Sequence, residues 1–196
     1  LFPERYYDVG IAESAAVDIA AGMVKTGIRP VVCIYSTFLQ RSFDQAFQEV
    51  SLQELPVTFC VDRAGLVGSD GPTHHGIMDI GYLRLLPNFV LVAPANEVEM
   101  KLALEYAVGA DKPVAIRYPK DYVVAAENVL EPCKQPFEAA KSVTVKKAED
   151  AAAAIVSYGS LLGEALEAAE RLSLAGIEVD VVNARFAAPI DDKIIE

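Results

Sequence analysis

Five short runs rich in Val, Ile, Phe and Tyr, separated by helix-forming stretches, constrain this chain more than any other feature. They are Tyr6–Val9, Pro30–Tyr35, Val57–Val61, Phe89–Ala93 and Val114–Tyr118. They are almost continuously apolar, as strands buried on both faces are. Between them, Ala12–Lys25 is apolar nearly all round, which predicts a buried helix followed by Gly27. Phe38–Glu54 reads as one amphipathic helix, with Phe43, Phe47, Val50 and the adjoining Leu55 near one stripe. Glu97–Val108 follows a Pro94–Asn96 break, and Asn96 is suited to cap it. This rhythm predicts an α/β fold, a mostly parallel sheet with helices on both faces. Such sheets bind ligands at the carboxyl ends of their strands.

Residues 1–122 carry this pattern as a first domain, and it dissolves over a linker at 123–150 that holds Pro132, Pro136 and a short strand candidate, Ser142–Lys146. Over 151–196 a second α/β domain opens as a β-α-β unit: Ala152–Ser157, a helix over Leu161–Ala175, and Ile177–Val182. The chain starts at Leu1 and stops at Glu196 within a helix-like run, so both ends read as cuts in a longer protein. No signal peptide opens the sequence shown.

Charge narrows the partners. A formal net charge of −11 repels phosphate backbones, which excludes nucleic acid and anionic membrane surfaces as main partners. A few arginines in a cleft still suffice for a small phosphorylated substrate. No apolar run approaches the roughly 18 residues that span a bilayer. The three cysteines are widely spaced, and Cys33 and Cys60 lie in apolar strand-like runs. Buried free thiols are expected, in keeping with a cytoplasmic protein.

Two places hold residues suited to chemistry. His74 and His75, the only histidines, sit in Asp62-Arg-Ala-Gly-Leu-Val-Gly-Ser-Asp-Gly-Pro-Thr-His-His-Gly76, directly after a strand. This loop gathers an acid, a guanidinium and two imidazoles where α/β sheets place ligands. Adjacent histidines without a thiolate do not have the spacing of a helical zinc site, so no metal site is expected. Glu13 opens the apolar helix Ile11-Ala-Glu-Ser-Ala-Ala-Val-Asp-Ile-Ala-Ala-Gly22. An acid there is also what the helix dipole favours, so spacing alone leaves its role open.

Six segments occur in order: Asp8-Val-Gly-Ile-Ala-Glu13, Tyr35-Ser-Thr-Phe-Leu-Gln-Arg41-Ser-Phe-Asp-Gln45, the Asp62–Gly76 loop, Tyr82-Leu-Arg, Pro87-Asn88 and Ile116-Arg117-Tyr-Pro119. Together they resemble the 1-deoxy-D-xylulose-5-phosphate synthases of the transketolase superfamily. The resemblance is strongest over Arg5–Pro119, in a transketolase-like pyrimidine-binding domain. Tyr158-Gly-Ser and Asn183-Ala-Arg-Phe-Ala-Ala-Pro are similar to the start of that family's C-terminal domain.

The resemblance implies a thiamine-diphosphate enzyme that joins pyruvate to glyceraldehyde 3-phosphate with loss of carbon dioxide, working as a homodimer. Glu13 would hydrogen-bond the aminopyrimidine of the cofactor from an apolar helix-end pocket, Phe38 would stack on that ring, and Arg41 would line the same pocket. Tyr35, Arg63, Asp70, His74 and Arg117 would face the substrates, with the arginines on phosphate and His74 also catalytic. The family's usual Gln-His-Ala after the glutamate is Ser14-Ala15-Ala16 in this chain. Nothing matches the Gly-Asp-Gly…Asn pattern that holds magnesium and the diphosphate, so the chain alone is expected to be inert. Two rivals share the fold: a 2-oxoacid dehydrogenase β subunit, which would lack the Gly71–Gly76 stretch, and a non-catalytic relative.

Overall fold

The computed structural model describes residues 2–123 and 129–194. Its first sheet has the order β1-β2-β4-β3-β8, built from β1 (Val31–Tyr35), β2 (Thr58–Asp62), β3 (Val90–Val92), β4 (Val114–Arg117) and β8 (Phe186–Ala188). Strands β1 to β4 are parallel, with Val31 opposite Thr58, Thr58 opposite Val114 and Val90 opposite Val114. The inner strands β2, β3 and β4 are buried along nearly their whole length, as continuous apolar runs should be.

Helices cover both faces. α1 (Glu13–Lys25) and the helical stretch after β1 pack Val17, Ala20, Leu39 and Val50 on Val32, Ile34, Phe59, Val61 and Leu91. The opposite face takes α5 (Glu97–Gly109), whose Ala103 and Ala107 lie against Val90, Val92, Val114 and Ile116. Asn96 caps α5 as expected, its Oδ1 accepting from the Glu99 N–H at 2.9 Å.

A second sheet, β5-β7-β6, contains β5 (Val143–Lys146), β6 (Ala153–Ser157) and β7 (Val179–Asn183), with α6 (Leu162–Leu174) joining β6 to its parallel neighbour β7. The expected β-α-β unit is therefore present. The strand candidate before it pairs antiparallel with β7.

Three sequence-based expectations are corrected here. Tyr6–Val9 is not a strand: Tyr6 and Tyr7 are exposed, and the Gly10 N–H donates to Asp8 Oδ1, a local turn that replaces ladder pairing. Phe38–Glu54 is not one regular helix. It is divided into α2 (Ser36–Leu39), a 3-10 turn at Gln40–Ser42, α3 (Phe43–Gln45) and a wide π turn over Ala46–Ser51. Cys33 is exposed, because β1 is an edge strand that buries only alternate residues; Cys60 and Cys133 are buried free thiols. Strand β8 has no counterpart among the sequence-based expectations. It leaves the second sheet and pairs antiparallel with β3, placing Phe186 opposite Val92. Phe186 then packs on Tyr106 and Phe137.

Candidate active site

The sequence-predicted residues gather where α1 begins and where β1, β2 and β4 end. The 3-10 turn after α2 carries Arg41 to Glu13, and Arg41 Nη1 lies 3.2 and 3.4 Å from the two carboxylate oxygens. The apolar pocket expected around Glu13 is therefore a polar one. Its side chain is 14% exposed and ion-paired. Ser14, where the sequence departs from the family pattern, donates its hydroxyl to the Arg41 carbonyl at 3.0 Å, tying the helix start to the same turn.

Arg41 also stands over the Phe38 ring, 5.0 Å from its centroid. Phe38 stacks on Tyr35 at 5.4 Å and meets His74 edge-on at 5.4 Å. The Arg63 guanidinium lies 3.7 Å from the Tyr35 ring centre, closely enough for a strong cation–π contact. Arg63 Nη1 bonds Asp62 at 2.5 Å and its Nε bonds Asp70 at 3.1 Å. Glu13, Arg41, Phe38, Tyr35, His74, Arg63 and Asp70 thus form one unbroken set of contacts. Arg63 itself has a φ of +56°, a backbone position unusual for a bulky residue and of the kind that concentrates at functional sites.

Glycine lets the histidine loop reach this place. Gly65 and Gly76 exchange two 2.8 Å backbone hydrogen bonds that close the base of the loop. A Cβ on Gly76 would collide with the Ser36 side chain and the Arg63 carbonyl. Gly71 adopts φ 80°, ψ 178°, which is essentially reserved to glycine. Inside the loop the Val67 N–H donates to His75 Nδ1 at 3.2 Å, so His75 serves the loop's own structure. His74 Nδ1 lies 2.9 Å from Thr73 Oγ1, and Thr37 holds the Thr73 carbonyl at 3.3 Å.

Arg117 stands apart from this set. Its Nε and Nη2 bond the two oxygens of Asp79 at 2.9 and 3.4 Å, and Asp79 is fully buried at the start of α4 (Asp79–Leu83). The Arg117 guanidinium is 5.8 Å from the ring centre of Tyr158, which comes from the second sheet's side of the molecule. Asp62, Asp79 and Lys120 were not singled out from the sequence. A usable signal existed for Asp62 and Lys120, since both are charges at the carboxyl ends of buried strands. Asp79 gave none, because an acid at a helix start is ordinary.

Comparison with known proteins bears on this geometry. Residues 1–124 match the family model "Transketolase, pyrimidine binding domain", and residues 142–196 match "Transketolase, C-terminal domain". The chain belongs to the transketolase family. Within it, the chain is 52% identical over 194 residues to the 1-deoxy-D-xylulose-5-phosphate synthase of Rhodopirellula baltica, covering 99% of this chain and 29% of that protein. It is 50% identical to the synthase of Carboxydothermus hydrogenoformans, covering 100% of this chain and 30% of that one. This transketolase-family chain thus spans about three-tenths of the length of the relatives it matches.

Solved structures agree on the fold. A split-gene transketolase described as an inactive beta4 tetramer superposes with a TM-score of 0.87 at 29% identity, covering 99% of this chain and 61% of that one. The transketolase of Campylobacter jejuni does so with a TM-score of 0.81 at 26% identity, over 94% of this chain and 28% of that one.

Proposed function

We propose that this chain is the pyrimidine-binding part, with the start of the C-terminal domain, of a 1-deoxy-D-xylulose-5-phosphate synthase. The enzyme condenses pyruvate with glyceraldehyde 3-phosphate and releases carbon dioxide, a step toward isoprenoid precursors. The observation that carries the reading is the continuous contact set from Glu13 through Arg41, Phe38 and Tyr35 to His74, Arg63 and Asp70, in a chain about half identical to such synthases. The proposed division places the first domain at residues 1–122 and the second at 151–196, joined by 123–150.

The residues fit thiamine diphosphate at its aminopyrimidine end. A carboxylate acceptor, Glu13, and an aromatic face, Phe38, stand side by side because Arg41 touches both. Glu13 would hold or move a proton at the ring nitrogen, Phe38 would stack on the ring, and Arg41 would fix the carboxylate's direction. When bound, the cofactor supplies the carbanion chemistry. Among the described residues no group of three or more His, Cys, Asp or Glu is placed to hold a metal ion. The proposal assigns magnesium and the diphosphate to a domain outside this chain, on the ground that the sequence has no match to the family's Gly-Asp-Gly…Asn pattern.

Substrate handling falls to the other side chains. His74 lies edge-on to Phe38, so it can exchange a proton with a substrate oxygen next to the cofactor ring. Arg63 and Arg117 would take the phosphate of the aldehyde, and Tyr35 and Asp70 would orient its hydroxyls. The same proposal includes a homodimer in the cytoplasm. Among the described residues no helix is long and apolar enough to cross a membrane.

The test is an assay of pyruvate and glyceraldehyde 3-phosphate with thiamine diphosphate and magnesium, on the enzyme assembled with its diphosphate-binding domain. Turnover is expected, and Glu13→Gln is expected to lower kcat by about a hundredfold or more. A folded, cofactor-loaded enzyme without turnover would overturn the reading and favour the non-catalytic relative.

A further inference from the structure

Two free thiols, Cys33 and Cys60, stand opposite each other on the first two strands. β1 and β2 are parallel, and Cys33 is directly in register with Cys60. Residues paired in this way lie about 4.8 Å apart at Cα and project from the same face of the sheet. That spacing falls inside the range, roughly 4.4–6.8 Å at Cα, that a disulfide spans without moving the backbone. The two thiols differ in access. Cys33 is exposed on β1, at the edge of the sheet, whereas Cys60 is buried on the inner strand β2.

They differ in ionisation as well. A hydrogen bond with Cys60 lowers the Cys33 thiol, while burial and the Asp62 carboxylate oppose the shift. The same hydrogen bond, together with burial, raises Cys60 and keeps it protonated. Tyr118, also close to the pair, is pushed up by burial and stays neutral. An accessible sulfur with thiolate character beside a second thiol is the arrangement that reacts with peroxides and then resolves to a disulfide. Cys133 offers the contrast within the same chain. It is buried in the core beneath the second sheet, and burial raises its thiol to about 11.

We propose that Cys33 and Cys60 form a peroxide-reactive dithiol site, with Cys33 as the attacking sulfur and Cys60 as the resolving one. The Cys33 thiolate attacks one oxygen of hydrogen peroxide. An S–O bond forms, the O–O bond breaks, and the released hydroxide takes a proton from solvent to leave as water. Cys33 is thereby oxidised to a sulfenic acid and the peroxide is reduced. The Cys60 sulfur then attacks Cys33, so that the S–S bond forms as the S–O bond breaks. The Cys60 proton departs with the hydroxyl as a second water. Register pairing holds the resolving sulfur beside the sulfenic acid, which favours the disulfide over further oxidation. Neither thiol has a part in the proposed synthase chemistry.

The experiment treats the enzyme, assembled with its diphosphate-binding domain, with a small excess of hydrogen peroxide at neutral pH. Remaining thiols are blocked with iodoacetamide and the peptides are mapped by mass. In wild type most of the Cys33 peptide should be joined to the Cys60 peptide, dithiothreitol should release both, and Cys133 should stay reduced. Cys60→Ser keeps a hydrogen-bond donor beside Cys33 but removes the resolving sulfur. In that variant dimedone labelling of Cys33, which traps the sulfenic acid, should rise about tenfold over wild type. In Cys33→Ser, Cys60 should remain reduced. A folded wild-type enzyme whose Cys33 survives peroxide as a free thiol would overturn the proposal. So would a link between Cys33 residues of two copies, or oxidation of Cys60 at the wild-type rate in Cys33→Ser. Peptide mass rather than turnover is read, so a failed synthase assay leaves this result standing.

Discussion

Arg185 Nε lies 2.8 Å from Glu99 Oε1, and both side chains are almost wholly buried, at 2% and 0% exposure. Glu99 belongs to α5, which covers the first sheet; Arg185 stands between β7 of the second sheet and β8, which crosses to the first. Asn183 donates to both Glu99 oxygens at 3.0 and 3.1 Å. Arg185 also donates to the carbonyls of Pro136 and Cys133 and lies over Phe137 at 4.5 Å. One guanidinium thus ties the helix, the crossing strand and the connecting chain together. Arg185→Met leaves Glu99 without its cation, and breaking such a pair costs about 3–5 kcal/mol. Urea unfolding should show that loss. A double variant with Glu99→Leu should recover much of it, since apolar replacement of both partners removes the unpaired charge.

The closed base of the histidine loop gives a sharper contrast between two glycines. Gly76→Ala puts a methyl group into Ser36 and the Arg63 carbonyl, while Gly81→Ala in α4 meets nothing within 4 Å. The first is expected to lose about 1–3 kcal/mol and most activity, because the strain falls on the residue that carries the Arg63 guanidinium. The second, a glycine inside a helix, should be neutral or slightly stabilising. Thermal melts of both variants check the difference, and so does the proposed synthase assay on the enzyme assembled with its diphosphate-binding domain.

On the open face of the edge strand, Cys33 is in register with Cys60 of β2. A hydrogen bond with Cys60 lowers the Cys33 thiol from its ordinary value to about 7, against the opposing effects of burial and of Asp62. The same bond raises Cys60. Thiolate is the reactive form, so alkylation of Cys33 should rise through a midpoint near pH 7. Cys60→Ala removes the hydrogen-bond partner and should move that midpoint up, toward the value of about 8.5 of a free thiol. Iodoacetamide rates against pH, with the labelled cysteine identified by peptide mapping, measure it. An unmoved midpoint would contradict the assignment.

Arg117 depends on a buried acid rather than on the histidine loop. Asp79→Asn keeps the shape of the side chain but removes the charge that holds the guanidinium at 2.9 Å. The cost should be about 2–4 kcal/mol, near the lower end for a buried pair, because Arg117 is 15% exposed. Under the proposed synthase function, the KM for glyceraldehyde 3-phosphate of the assembled enzyme should rise while that for pyruvate changes little. Equal KM changes for both substrates would separate Arg117 from phosphate binding.

Much of the molecule follows from sequence alone. Inner strands β2, β3 and β4 are legible because burial on both faces demands continuous apolar runs, α1 because it is apolar nearly all round before Gly27, and α5 because Asn96 caps it locally. Arg63, Asp70 and His74 stand out because they share one charged loop directly after a buried strand, whereas Glu13, Phe38 and Arg41 are picked out by the family resemblance of their segments. Tertiary structure alone decided the rest. β8 joins the first sheet because β3 offers it an open edge and Phe186 finds Tyr106 and Phe137 there, a match between segments far apart in the sequence. Tyr6–Val9 has strand composition but makes a local turn. Asp79 became visible only once Arg117 was beside it, since an ion pair is a property of two positions that the chain brings together and of neither one by itself.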